Sequence, residues 1–387
     1  MGFVSLLMDI SSEMIHSLLP LFLFTSLGAS TTAIGIIEGV AEATALIVKI
    51  FSGAFSDFIG KRKGLALFGY GLGALSKPMF ALAAGSNMIF AARFIDRIGK
   101  GLRGAPRDAL IADITPEEIR GAAFGLRQSL DTVGAFIGPL LAVTLMMLWG
   151  GDFRAVFWVA VIPGALAVLL LAVAVHEPEK PCKPSRINPI RKVQLQRLGL
   201  AYWHLVAIGA AFTLARFSEA FLVLRAQQSG IPLALVPLVM VAMNIVYAAS
   251  AYPFGKLSDR YSAKFILAGG ILVLILADLT LASSAQWPTV LCGVILWGLH
   301  MGISQGLLAK MVADTCPADL RGTAYGFFNL VSGGAMLLAS VSAGMLWDAF
   351  GAEITFYAGA FFCLLTLLGL STWNGSGANP TPSKPGG

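Results

Sequence analysis

Long apolar runs recur through the whole sequence and are separated by short polar connections. Each run is close to the length that a helix needs to cross the hydrocarbon core of a bilayer. The runs lack the alternation of barrel strands, and backbone groups in lipid must be hydrogen-bonded internally, so we predict an all-α membrane protein. The predicted spans, twelve in number, cover residues 3–27, 33–56, 65–84, 89–112, 122–148, 153–175, 200–225, 233–257, 264–284, 289–313, 323–347 and 353–373.

Two sets of landmarks recur in the two halves of the chain. The segment Gly53–Asp57 reappears as Gly255–Asp259, and Asp113–Gly125 reappears as Asp314–Gly326, at offsets of 202 and 201 residues. Matched landmarks at nearly one offset indicate a duplicated six-span unit, the usual architecture of a transporter whose site lies between its halves. The predicted units are an N-terminal bundle at 1–175, a cytoplasmic linker at 176–199, a C-terminal bundle at 200–373 and a disordered cytoplasmic tail at 374–387.

Composition and charge narrow the function classes. The chain is 57% hydrophobic and 12% charged, with a net charge of +6. The basic residues concentrate in the connections after even-numbered spans, which predicts that both termini are cytoplasmic in a bacterial inner membrane. This asymmetry explains the net charge, so no nucleic-acid partner is expected. No nucleotide loop or nucleophile–base pattern is present, so we expect neither an enzyme nor a cofactor, and we expect a monomer.

Two motifs resemble the major facilitator superfamily. The string Gly53-x-x-x-Asp57-x-x-Gly60-Lys61-Arg62-Lys63 is similar to the family's loop signature between spans two and three, although Phe58 stands where the family often has Arg. The string Asp-Arg-x-Gly-Lys-Gly-x-Arg-x-x-Pro-Arg-Asp-Ala, at residues 96–109, resembles a bacterial subgroup of that superfamily. The resemblance covers essentially the full chain and implies two six-helix bundles that work by alternating access.

A finer resemblance is to the drug/proton antiporter branch of the superfamily. Arg93 stands where that branch carries an Arg in span four, and Gly134-x-x-x-Gly138-Pro139 is similar to its span-five motif. The second pair of glycines that usually follows the Pro is missing here. The resemblance implies exchange of protons for an organic solute.

Span four carries an unusual concentration of charge. The stretch Arg93–Asp108 has seven charged side chains in sixteen positions, and Arg93, Arg97 and Lys100 fall on one helical face. A charge at the bilayer centre costs about 3 kcal/mol or more, so compensating partners are expected nearby. Acidic faces on spans one and two could supply them. The counterpart of this stretch in the second half is uncharged, which favours function over a demand of the fold.

These patterns predict three groups of site residues. The predicted proton-coupling residues are Asp9, Glu13, Glu38, Glu42 and Asp96. The predicted substrate-binding residues are His16, Arg93, Arg97, Lys100, Arg216, Glu219, Asn244, Tyr247, His300, Gln305 and Asn329. The predicted gating residues are Asp57, Arg62, Arg103, Arg107, Asp108 and Asp259. A network that only holds helices together remains an alternative for the acidic residues, and the basic loop could only set topology.

Three functions remain open from the sequence. The first is a proton-coupled exporter of a small organic compound, with an anionic compound as one option, working by alternating access. The second is a proton symporter or uniporter that imports a polar or anionic metabolite, which the excess of Arg and Lys in the spans would suit. The third is a metal-ion transporter with Asp9, Glu13 and His16 as ligands, a mixed oxygen and nitrogen set.

Overall fold

The computed structural model describes residues 1–59, 62–116, 119–175, 198–258, 260–284, 286–304, 306–317 and 320–373. These residues form helical spans and contain no strand, so the predicted all-α fold is confirmed. Most of the predicted linker and the whole predicted tail lie outside the described residues.

The twelve spans follow the predicted order. Their helices are Gly2–His16 with Leu19–Leu21 and a π-helical turn Phe22–Ser26; Thr31–Ile59; Arg62–Leu82; Ser86–Ile114; Arg120–Leu148; Phe153–Ala174; Leu200–Ala215 with Ala220–Gln228; Leu238–Leu257 after a 3-10 turn Leu233–Leu235; Ala263–Ser283; Trp287–Ser304 with Leu307–Thr315; Arg321–Phe350; and Ala352–Thr372. Among the described residues, ten spans are apolar enough to cross a membrane by composition alone. The other two, spans two and four, carry several of the buried charges, namely Glu38, Arg93, Asp96, Arg97 and Arg103.

Span seven differs from its prediction as one continuous helix over 200–225. The helix stops at Ala215 and restarts at Ala220. The interruption persists because side chains satisfy the backbone groups that it releases. The N–H of Ser218 donates to Ser340 Oγ of span eleven at 3.2 Å, and the N–H of Ala220 donates to Ser218 Oγ at 3.2 Å.

The two halves approach each other most closely at one end of the bundle. We call the end at which span two begins, near Thr31, the outer end, and the opposite end the inner end. Near the outer end a Cβ added to Gly35 would collide with the backbone of Ser340 in span eleven. Near the inner end the nearest atom to a Cβ on Gly326 is a methyl of Ile50 at 3.5 Å, an ordinary contact. Along this pair of spans the two backbones are therefore closest towards the outer end and lie farther apart towards the inner end.

Candidate functional site

Two glycines of the 96–109 string set the position of span four. A Cβ on Gly99 would lie 2.6 Å from the carbonyl oxygen of Gly69 in span three. A Cβ on Gly101 would lie 2.7 Å from Cβ of Val48 in span two. Span four is therefore wedged between two helices at glycine contacts, and the intervening Lys100 is exposed to the space between the halves. Close packing of small residues is a common way to join helices in membranes.

The basic stripe of span four meets the acidic face of span two. Arg93 donates from Nη2 to Glu38 Oε2 at 2.6 Å and from Nε to Glu38 Oε1 at 3.1 Å. Both side chains are fully buried. Arg97 Nη1 lies 3.2 Å from Glu42 Oε1. The predicted compensation between spans two and four is present, and the two-pronged Arg93–Glu38 pair fixes orientation as well as charge.

The buried carboxylate of Asp96 has a partner that the sequence analysis missed. Lys77 of span three donates from Nζ to Asp96 Oδ1 at 2.7 Å and to Ser12 Oγ of span one at 3.0 Å. Lys77 and Asp96 are both buried. Lys77 is the one charged residue inside the predicted span at 65–84, and that isolation in an apolar run was the available signal.

The acidic residues of span one pack directly on the glycines of span five. A Cβ on Gly134 would lie 2.9 Å from Asp9 Cβ, and a Cβ on Gly138 would lie 2.7 Å from Glu13 Cβ. The glycines therefore allow span one to lie against span five at the level of its two carboxylates. The His16 ring bridges two acids, with Nδ1 at 3.6 Å from Glu13 Oε2 and Nε2 at 3.7 Å from Glu38 Oε2.

Two adjoining cavities lie between the halves. The central cavity has a volume of about 360 Å³, and its lining residues are Glu13, His16, Glu42, Arg97, Lys100, Ala135, Arg216, Phe217, Ser218, Glu219, Asn244, Trp297, Met301 and Met336. The inner cavity has a volume of about 500 Å³ and reaches from Asp9 to Arg107 and Gln128. The residues that line both, and so stand at the junction of the two spaces, are Glu13, Glu42, Lys100, Ala135 and Asn244.

A second ionic group lies towards the inner end of the first half. Arg107 donates to Asp108 Oδ1 at 3.0 Å and to Ser5 Oγ at 2.7 Å. Arg127 of span five, which the sequence analysis missed, lies 3.3 Å from both Asp108 Oδ1 and Asp131 Oδ2. These contacts join spans one, four and five within one half. The contacts of Arg107 and Asp108 that the structure describes therefore do not bridge the halves.

Two other predicted gating residues also have partners within the first half. The guanidinium of Arg103 lies over the ring of Tyr70, 5.0 Å from its centroid. Arg62 Nη1 lies 2.7 Å from Asp113 Oδ2 and joins the inner ends of spans three and four. Asp259 lies outside the described residues, and for Asp57 only the backbone, at the inner end of span two, is described. The gating roles of all these residues stay predictions.

The predicted substrate residues of the second half divide between the cavities and the core. Arg216 and Glu219 line the central cavity, Tyr247 lines the inner one, and Asn244 lines both. His300 is fully buried, with Nδ1 3.4 Å from Ser304 Oγ, and lines neither cavity. Asn329 also lines neither cavity. The predicted residue Gln305 lies outside the described residues.

A residue that the sequence analysis missed joins the two halves at the outer end. Asp348 of span eleven accepts hydrogen bonds from the N–H of Thr31 at 3.1 Å, the N–H of Thr32 at 2.8 Å and the hydroxyl of Thr31 at 2.5 Å. Thr31 begins the helix of span two, whose first N–H groups have no partner within that helix. One half therefore caps a helix of the other, and the positive end of the helix dipole favours the carboxylate there.

The arrangement gives little support to a metal site. No group of three or more His, Cys, Asp or Glu side chains in the described part of the chain is placed to hold a metal ion. Asp9, Glu13 and His16 are all described, so they do not form the ligand set that the third hypothesis requires.

Comparison with known proteins agrees with the predicted fold. The family model described as Major Facilitator Superfamily matches residues 1–229 and 205–386. An uncharacterized MFS-type transporter of Methanocaldococcus jannaschii is 32% identical over 382 residues, 95% of this chain and 92% of the relative. The quinolone resistance protein NorA of Staphylococcus aureus is 26% identical over 200 residues, 51% of this chain and 48% of the relative. A solved POT family transporter superposes with a TM-score of 0.80 at 14% identity, over 96% of this chain and 95% of the other.

Proposed function

Because the chain belongs to the major facilitator superfamily, we propose that it is a proton-coupled secondary transporter that exports a small organic compound by alternating access. One observation carries the proposal: a charged cavity lies between the halves, and Asp348 joins the halves on its outer side through Thr31 and Thr32. A site that faces one side at a time is the requirement for alternating access.

The proton-coupling role rests on the placement of Asp9 and Glu13. Glu13 stands at the junction of the two cavities, and Asp9 lines the inner cavity without an ion-pair partner among the described residues. A carboxyl group in a cavity can exchange a proton with water, whereas Glu38 and Asp96 are held in buried pairs. We therefore assign proton binding to Asp9 and Glu13, and a positioning role to Glu38 and Asp96.

The direction of transport rests on the span-five motif and on the similarity to a quinolone resistance protein. Under the proposed orientation both termini are cytoplasmic, the inner cavity opens towards the cytoplasm and the protein works as a monomer in the inner membrane. The cargo then enters from the cytoplasm while the outer end is closed.

The test is a flux assay on proteoliposomes with an imposed pH gradient and a panel of organic anions, organic cations and divalent metals. We expect at least one organic solute to move against the direction of the proton gradient. The proposal is wrong if the flux of every transported solute is independent of the gradient. Metal flux that is lost in Asp9→Ala would favour the third hypothesis instead.

A second candidate function is import of an anionic metabolite by symport or uniport. It is favoured by two cations, Lys100 and Arg216, that line the central cavity with no ion-pair partner among the described residues. The same assay separates the two candidates, because a symporter accumulates its solute in the direction of the proton gradient and an antiporter against it.

A further inference from the structure

The central cavity retains charged side chains of both signs after its ion pairs are assigned. Arg97 is paired with Glu42 at 3.2 Å, and His16 with Glu13 at 3.6 Å. Lys100, Arg216 and Glu219 line the same cavity and form no ion pair or side-chain hydrogen bond with any described residue. The cavity therefore offers two cations and one carboxylate to whatever enters it.

The break in span seven explains how both signs reach the cavity from the second half. Arg216 ends the first segment and Glu219 precedes the second, where its side chain makes no capping hydrogen bond. All four residues of the interruption, 216–219, line the cavity. In a continuous helix successive side chains point about 100° apart, so four in a row could not face one space. The interruption thus turns a segment of span seven into part of the cavity wall.

The unpaired charges lie on both halves. Lys100 projects from span four of the first half, held between the glycine contacts of Gly99 and Gly101, while Arg216 and Glu219 belong to the second half. Unpaired charges inside a membrane protein are costly and mark ligand or ion sites by default. A ligand that meets all three charges would touch both halves at once.

The rest of the wall is apolar and aromatic. Phe217 and Trp297 line the cavity, with their ring centroids 5.5 Å apart, and Met301 lies beside them. Pockets of this kind hold the apolar body of a ligand while a few polar groups fix its orientation.

We propose that the cargo is an amphoteric organic compound with an apolar body, bound with its anionic group between Lys100 and Arg216 and its cationic group on Glu219. This assignment rests on the proposed transport function and names its substrate class. A singly charged analogue leaves at least one of these side chains without a partner, and unpaired buried charge is the source of discrimination.

The test uses matched triplets of one scaffold, for example phenylalanine, 3-phenylpropionate and phenethylamine, together with an aliphatic triplet of the same design. Binding to the purified full chain in detergent is measured by calorimetry without any gradient. We expect the amphoteric member of at least one triplet to bind at least about tenfold tighter than both of its singly charged analogues. The proposal is overturned if no amphoteric member does so.

Charge-removing variants give a directional check. Glu219→Gln should move the preference towards the acid, whereas Lys100→Gln and Arg216→Gln should move it towards the amine. Lys256→Gln, an exposed residue near the inner end of span eight, is the control and should keep the wild-type order. An unchanged order in all three cavity variants would contradict the assignment.

Failure of the amphoteric-cargo proposal can be told apart from failure of the transport proposal. Preferential binding of the acid alone, with flux that follows a pH gradient, would overturn the amphoteric cargo and leave proton-coupled transport intact. Preferential binding of the amphoteric compound, with flux independent of the gradient, would overturn proton-coupled transport and leave the amphoteric cargo intact.

Discussion

The two halves share one helical arrangement but place different side chains at its centre. In the first half the space between spans one to four holds ion pairs such as Arg93–Glu38 and Lys77–Asp96. In the second half, Trp297 of span ten belongs instead to an aromatic cluster with residues of spans seven, eleven and twelve: Phe217, Phe221, Trp347 and Phe356.

Charged residues of span four in the first half correspond to apolar residues of span ten in the second half. At the 201-residue offset, Asp96 corresponds to Trp297, and Arg93 to Val294. Trp297 and Val294 are both buried, so an apolar filling of this fold is feasible. Apolar replacements of buried ion pairs are often as stable as the pairs themselves. The charges of the first half are therefore better explained by transport than by stability.

The largest expected effect comes from breaking the Arg93–Glu38 pair. Glu38→Met alone leaves Arg93 buried without its closest partner and should cost about 3–5 kcal/mol of stability. Adding Arg93→Val, the residue type of the second half, should recover most of the loss in the thermal midpoint but not transport. If the double variant is as unstable as the single one, the Arg93–Glu38 pair is needed for stability. The difference between the halves would then not indicate a role in transport.

The next effect concerns the contact between spans one and five. Gly138→Ala would place a Cβ 2.7 Å from that of Glu13, and overpacking of this kind costs about 1–3 kcal/mol. We expect transport to fall by about tenfold or more, the equivalent of about 1.4 kcal/mol in the barrier, with folding retained.

The second half already has alanine at the position of Gly138, because Ala339 corresponds to it at the 201-residue offset. Gly138→Ala therefore gives the first half the residue type of the second. Gly125→Ala in the same span is the control, since no atom lies within 4 Å of its added Cβ. Equal flux in Gly138→Ala and Gly125→Ala would show that the close approach is not needed.

A smaller effect is expected where the two halves meet at the outer end. Asp348→Ala removes a helix cap worth about 1 kcal/mol and should shift the population towards states with the outer end open. Spin labels at Ser30→Cys and Phe350→Cys, in a cysteine-free background, report the distance between the halves at the outer end. In Asp348→Ala a larger share of molecules should show a long distance between the two labels.

The control for this prediction is a cap that lies within one half. Asp152 accepts from the N–H groups of Arg154 and Ala155 at 2.9 and 3.1 Å, so Asp152→Ala removes a cap without touching the other half. If both variants give the same distance distribution, Asp348 does not hold the outer end closed.

The smallest effect is expected at the inner loop. Asp57→Asn should slow turnover more than it weakens binding, because the expected pairing of this carboxylate with the basic inner loop would be worth about 1 kcal/mol and would act on the exchange between states. Asp259→Asn tests the repeated position in the second half. Turnover of both variants at the wild-type rate would count against a gating role at either position.

The fold was largely predictable from the sequence, because bilayer thickness fixes the length of each apolar run. The faces of spans two and four were also predictable, since helical spacing places Glu38 and Glu42 on one side and Arg93 and Arg97 on another. Which acid meets which base was not, because pairing depends on how distant helices pack. The sequence analysis therefore gave Asp96 no partner in span three, although Lys77 interrupts an otherwise apolar run.

The interruption of span seven was also missed, for a different reason. The apolar residues Phe217 and Ala220 continue the run through the break, and hydropathy does not respond to backbone angles. The cap on Thr31 was missed because Asp348 lies 317 residues away in sequence and its role exists only between the halves. Comparing matched positions of the two repeats shows which half carries the charges. It does not show which residues of one half contact the other.

The most direct test of the central claim, that the charged first half couples protons to transport, is Glu13→Gln in proteoliposomes with a solute found by the flux panel. Solute exchange at equal pH on both sides is compared with accumulation driven by a pH gradient. We predict that the variant keeps exchange close to the wild-type rate and loses the accumulation. Accumulation equal to that of the wild type would contradict the account, because Glu13 would then carry no proton in the cycle.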